Sequence, residues 1–208
     1  MIICMNSLES ALGLRLTIAT QLTLLRVLAI PLLVLVFFLE FAHSSIVASL
    51  IFIIAAITDW LDGYLARRMN DVSSFGAFLD PVADKLMVAT ALVLLLQGDP
   101  SIGMVLPVAI IIGREITVSA LREWMAELGQ RASVAVRGIG KLKTGTQMTS
   151  ISMMLWREPL FGMLPVYELG YGLLLVASIL TLWSMLVYLK AAWPHLTGSR
   201  ESTLTARD

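Results

Sequence analysis

The chain has 208 residues, in which 15 Lys+Arg balance 15 Asp+Glu, with two His and one Cys. Hydrophobic residues make up 58% and charged residues 14%, against about 45–50% and about 25% in ordinary globular domains, which excludes a water-soluble single domain. One cysteine excludes an internal disulfide framework, and zero net charge excludes the broad basic surface that nucleic acid requires.

The first segment, residues 1–21, is predicted to be a short juxtamembrane helix lying on the membrane surface. Asn6 and Glu9 have N-cap and N3 spacing, and Leu8, Leu12 and Leu16 recur every fourth residue. A mobile start left by precursor processing is the open alternative, and Met1–Met5 lacks the charged leader of a signal peptide. Six uncharged runs follow: Val27–Leu39, Phe41–Thr58, Leu86–Gln97, Ser101–Gly113, Thr144–Trp156 and Leu169–Leu189. A helix needs roughly 20 mostly apolar residues to cross the hydrocarbon core, and the last run alone has that length. The other five reach it by drawing in charge: Arg26 for the first; Asp59, Asp62 and Arg67 for the second; Asp80, Asp84 and Lys85 for the third. Arg114, Glu115 and Arg122 complete the fourth, and Lys141 and Lys143 the fifth. The expected fold is an all-α integral membrane protein, a six-transmembrane-helix bundle over residues 22–193, with a polar tail over 194–208.

Basic residues precede the first run, lie between the second and third and between the fourth and fifth, and follow the sixth. Those zones hold fourteen of the 15 Lys+Arg, and the opposite connections hold only Arg157. This asymmetry predicts both termini on the cytoplasmic side, or on the stromal or matrix side of an organellar inner membrane. The charged helix ends fall on the same side, and charges drawn into membrane helices face a protein interior or a water-filled cavity. A polar chamber opening to that side is expected. The Trp and Tyr residues near run ends read as interface anchors, as do His43 and His195, and the eleven Met as gap-fillers.

Between Asp59 and Asp84 the chain reads DWLDGYLARRMNDVSSFGAFLDPVADK. Asp59 and Asp62 are three apart and Asp80 and Asp84 four apart, so each pair shares one helix face. A short turn joins the two helices, so their acidic faces can meet. Four carboxylates there repel one another unless hard divalent cations with oxygen ligands neutralise them, and two such cations form a clamp for phosphoryl chemistry. Taken singly, the same residues also admit structural roles: Asp80 as an N-cap with Pro81 at the first helical position, or Asp59 and Asp62 paired with Arg67 or Arg68.

The spacing Asp59-x2-Asp62-Gly63-x2-Ala66-Arg67-x8-Gly76-x3-Asp80-x3-Asp84 resembles, at every position, the signature of the CDP-alcohol phosphatidyltransferase family. That resemblance implies the family's six-helix fold, usually dimeric, and transfer of a phospho-alcohol or phosphatidyl group from a CDP-linked donor to an alcohol, with release of CMP. It implies Asp59, Asp62, Asp80 and Asp84 as ligands of two divalent ions, Mg²⁺ or Mn²⁺, and Asp84 as the base. It further implies donor contacts from Asp59, Gly63, Ala66, Arg67, Ser73 and Gly76 and from Leu22, Thr23, Leu24 and Leu25. Family members often carry Pro-Asn just before the first span, where this chain has Ala19-Thr20.

Arg114 and Arg122 lie two turns apart at the inward end of the fourth run, and Lys141 and Lys143 open the fifth. A phosphate-bearing acceptor calls for such charge-assisted donors and a neutral alcohol does not. These residues are also readable as positive-inside charges or as partners of Glu115, Glu123 and Glu127, Lys143 more readily than Arg114 and Arg122. The stretches Arg114–Trp124 and Gly140–Gln147 resemble the family's bacterial-type phosphatidylglycerophosphate synthases. That likeness implies CDP-diacylglycerol and glycerol 3-phosphate as substrates, Arg114, Arg122, Lys141 and Lys143 as the acceptor-phosphate set, membrane lipid as surroundings, and a bacterial or organellar inner membrane as location. A different acceptor within the family is one competing expectation. A divalent-cation transporter is another, though it would need acidic residues continuing through the membrane, where the uncharged runs have none.

Overall fold

In the computed structural model, residues 18–39, 41–69, 74–127, 137–159 and 162–196 are described, with the side chains of 18–19, 62–69, 74, 77, 137–141, 191–192 and 194–196 left outside that description. These residues form six helices: α1 (Ile18–Phe38), α2 (Ser44–Met69), α3 (Ser74–Gly98), α4 (Ile102–Glu127), α5 (Arg137–Trp156) and α6 (Val166–Leu196). Among the described residues there is no strand. The expected surface helix over residues 1–21 lies outside the described residues up to position 17, and α1 already includes Ile18.

Each helix coincides with one of the uncharged runs and extends past it into the charged residues beside it. Four helices contain stretches long and apolar enough to cross a bilayer: Thr20–Phe38, Ser44–Leu61, Ile102–Glu127 and Val166–Lys190. The other two, α3 and α5, have 25 and 20 residues and carry their charge in the first half. Large apolar side chains such as Leu28, Leu32, Leu35, Ile54, Ile57, Ile116 and Ile179 are exposed. Water does not tolerate so much outward apolar surface, whereas acyl chains do. The molecule is an integral membrane protein.

The chain divides into two compact units, Met1–Gly98 with Ile151–Glu168 and Asp99–Ser150 with Leu169–Asp208. In the first, among the described residues, α1 packs extensively against both α2 and α3, which also touch one another. Both helices bury a stripe at helical spacing: Ala48, Ser49, Phe52 and Ala55 on α2, and Ala83, Met87, Ala91 and Leu95 on α3. The Ser49 hydroxyl donates 2.7 Å to the Ser152 carbonyl oxygen, tying the end of α5 to α2. Immediately after α5, Arg157 adopts a left-handed φ of 59° and lays its guanidinium over the Phe37 ring, 5.4 Å from the centroid.

The second unit buries Met104, Val108, Ile111, Val118 and Met125 of α4. The buried stripes of α5 and α6 include polar residues: Lys143, Gln147 and Ser150 on one, and Ser178, Thr181 and Ser184, beside Leu174 and Ala177, on the other. Inside a membrane protein, such stripes need partners. The Ser150 hydroxyl donates 2.7 Å to the Gly170 carbonyl and the Tyr171 hydroxyl 3.0 Å to the Gly103 carbonyl.

Candidate functional sites

In the first unit, the acidic helices are joined through α1. Arg26 is among the most deeply buried side chains, at 2% exposure. Its Nη1 lies 3.0 Å from Asp59 Oδ1 on α2 and 3.1 Å from Asp80 Oδ1 on α3. Asp59 and Asp80 therefore converge on an arginine that the sequence reading used only as the charge completing the first span. The one available signal was its place: a lone cation between Leu22–Leu25 and the apolar run beginning at Val27.

Asp80 is not an N-cap. Helix α3 starts at Ser74 and already includes Asp80 and Pro81 in its interior, so the Asp-Pro pair sits inside a helix rather than at its entrance, where proline is best tolerated. One turn further along α3, Asp84 is partly buried. Gly76, in the first turn of α3, is also partly buried. On α1, Thr23 is buried while Leu25 is half exposed, and Leu22 and Leu24 are intermediate. Asp62, Gly63, Ala66 and Arg67 fall on the last turns of α2, but their side chains, like the whole of Ser73, lie outside the described residues.

Among the described residues, no three carboxylates, thiols or imidazoles gather tightly enough to hold a metal ion. The described carboxylates nevertheless fit a hard divalent cation in kind. They are oxygen donors from two helices, two of them within reach of one positively charged nitrogen.

The second unit holds a separate charged centre. Glu115 Oε1 accepts from Arg114 Nη1 at 2.8 Å and from Lys143 Nζ at 2.6 Å, so one oxygen couples α4 to α5. Arg114 Nη2 also donates to the Ser184 hydroxyl of α6 at 3.3 Å, while its Nε is buried without a hydrogen-bond partner. Two turns along α4, the exposed Arg122 donates from Nη2 to the Tyr188 hydroxyl at 3.0 Å. The same guanidinium stands 5.3 Å above the Tyr188 ring centroid, a cation–π arrangement. Three of the four expected acceptor-phosphate residues are thus placed: Arg114 and Lys143 bonded through Glu115, and Arg122 apart from them on Tyr188. The Lys141 side chain lies outside the described residues. The sequence reading missed Tyr188 as a support and took Glu115 only as a competing explanation for the cations. The spacing of Ser184 and Tyr188, four apart on α6, was the available signal.

These features define a class: a helical protein of the membrane that buries cations among its apolar helices against partly exposed carboxylates, Arg26 on two aspartates in one unit and Lys143 on Glu115 in the other. Comparison with known proteins is more specific. The chain belongs to the CDP-alcohol phosphatidyltransferase family, whose model matches residues 16–189. It is 57% identical over 175 residues, 84% of this chain and 94% of the relative, to the CDP-diacylglycerol–glycerol-3-phosphate 3-phosphatidyltransferase of Salmonella typhimurium. Proteins of the same name from Escherichia coli K12 and Shigella flexneri are 55% identical over the same shares of both chains.

Proposed function

We propose that the chain transfers the phosphatidyl group of CDP-diacylglycerol to sn-glycerol 3-phosphate, giving phosphatidylglycerophosphate and CMP. The observation that carries this reading is the extent of the likeness. Identity of 55–57% runs over 84% of the chain to relatives named for that reaction, and both charged centres lie inside the matched residues 16–189.

Asp59, Asp62, Asp80 and Asp84 are the ligands of two divalent ions, Mg²⁺ or Mn²⁺. When bound, these supply positive charge to the diphosphate and to the departing CMP. Leu22–Leu25, Gly63, Ala66, Arg67, Ser73 and Gly76 hold the CDP moiety. Asp84 takes the proton of the acceptor hydroxyl as that oxygen forms its bond to the lipid-bearing phosphorus and the bond from phosphorus to the CMP oxygen breaks. A carboxylate is a weak base, so this proton moves late, and positioning of the reactants supplies much of the acceleration. Arg114, Arg122, Lys141 and Lys143 bind the acceptor phosphate, with Arg122 oriented by Tyr188 and the Arg114–Lys143 pair by Glu115.

All six helices span the membrane in this reading, with both termini on the cytoplasmic side of a bacterial inner membrane. A surface helix precedes the first span, residues 194–208 form a polar tail, and the functional unit is a homodimer. The test is incorporation of radiolabelled glycerol 3-phosphate into lipid by purified protein, with and without CDP-diacylglycerol. The expected result is donor-dependent label in lipid with equal release of CMP. Label that fails to enter lipid, while CMP release proceeds with phosphatidylglycerol or another alcohol, would overturn the acceptor assignment.

A further inference from the structure

A guanidinium whose side chain is 1% exposed is costly unless its charge is matched. Among the described residues, one nitrogen of Arg26 is matched by Asp59 of α2 and Asp80 of α3. Among the described residues, helix α1 packs closely on both of those helices. Arg26 thus leaves a helix that touches both acidic helices, at the point where their carboxylates come together. Two carboxylates aimed at a common point repel, and partial burial strengthens the repulsion. Arginine is suited to oppose it, because it keeps its charge in any protein setting.

We propose that Arg26 is a positioning residue for the divalent-ion centre: it holds Asp59 and Asp80 at their converged spacing before an ion arrives, standing in for part of the positive charge the centre later receives. This rests on the reading of the aspartates as ion ligands. Among the described side chains that meet here, two carboxylates outnumber one guanidinium, so the arrangement attracts a divalent ion while resisting collapse or splaying. Once the ion is bound, the carboxylates are neutralised from a second direction and the contribution of Arg26 shrinks. An arginine serving only to pack the core would matter equally in both states.

Thermal unfolding of the full-length protein in detergent, with EDTA or with saturating Mn²⁺, separates the two. Wild-type protein should melt higher in Mn²⁺, and Asp84→Asn should reduce that rise. If the wild type shows no rise, the ion-ligand reading falls and the role of Arg26 falls with it. Arg26→Met should lower Tm in EDTA by about 5 °C or more, and in Mn²⁺ by less than about half that amount. Equal losses in both conditions would overturn the proposal while leaving the ion centre standing. Arg26→Lys keeps the charge and carries the test should Arg26→Met not accumulate. Its Mn²⁺-dependent rise should equal or exceed that of the wild type, and a smaller rise would overturn the proposal.

Discussion

Glu115 offers one carboxylate oxygen to two cations, Arg114 and Lys143, from different helices. A charge-assisted hydrogen bond contributes about 1.5–3 kcal/mol, so removing the charge while keeping the shape should loosen both cations together. Glu115→Gln should raise the KM for glycerol 3-phosphate about tenfold, the equivalent of roughly 1.4 kcal/mol, and leave the KM for CDP-diacylglycerol unchanged. Steady-state kinetics with each substrate varied in turn would check this, and a parallel rise in both constants would place Glu115 in general folding instead. Asp84→Asn should lower kcat by a factor of about 10²–10⁴, the usual contribution of a general base, while the purified variant still binds CDP in a filtration assay. The aspartates were legible in the sequence because their spacings of three and four dictate a shared face whatever else the chain does. Arg26 and Glu115 were less legible. Charge pairing across helices depends on which helix faces which, and one charged residue in an apolar run carries no record of its partner.

At the scale of the helix, the uncharged runs marked every element among the described residues, because burying a backbone in lipid leaves helix as the economical solution for a single segment. Their neighbours were harder to read. A short link between α2 and α3 suggested direct packing, and the two do touch, but the packing of α1 on both was not foreseen. Periodicity shows which face of a helix is covered without showing what covers it. The start of α3 was also obscured, because Asp80-Pro81 has the chemistry of a helix entrance although the helix begins at Ser74. In the second unit, the close approach of α4 and α6 at Gly103 depends on the absence of a side chain there. A Cβ at Gly103 would stand 2.7 Å from the Tyr171 hydroxyl, which donates to the Gly103 carbonyl oxygen at 3.0 Å. Tyr171→Phe removes that bond and should cost about 1 kcal/mol. Gly103→Val also forces the ring aside and should cost about 1–3 kcal/mol, in the range of overpacked cores. Melting of the two variants in the same detergent would rank them, and Gly103→Val more stable than Tyr171→Phe would show that the two helices give way without strain.

For the molecule as a whole, the question is whether α3 and α5 cross the bilayer beside the four helices that are apolar enough by themselves. Their charge lies in the first half of each, Asp80, Asp84 and Lys85 in one and Lys141 and Lys143 in the other, and the later portions are uncharged. A six-span path puts Pro100 and Met163 outside and Arg131 inside. If α3 and α5 did not cross, Pro100 would lie inside, and the basic stretch from Arg131 to Lys143 would lie outside, against the bias that keeps Lys and Arg at the cytoplasmic face. The chain has a single cysteine, Cys4, so a Cys4→Ser background leaves no competing thiol. On that background, Pro100→Cys and Met163→Cys should react with a membrane-impermeant maleimide in intact spheroplasts, and Arg131→Cys only after lysis. Protection of Pro100→Cys in intact spheroplasts would remove α3 from the membrane path. The acidic end of α3 would then no longer be positioned by a span, and the convergence of Asp80 with Asp59 on Arg26 would have to be maintained by α1 alone.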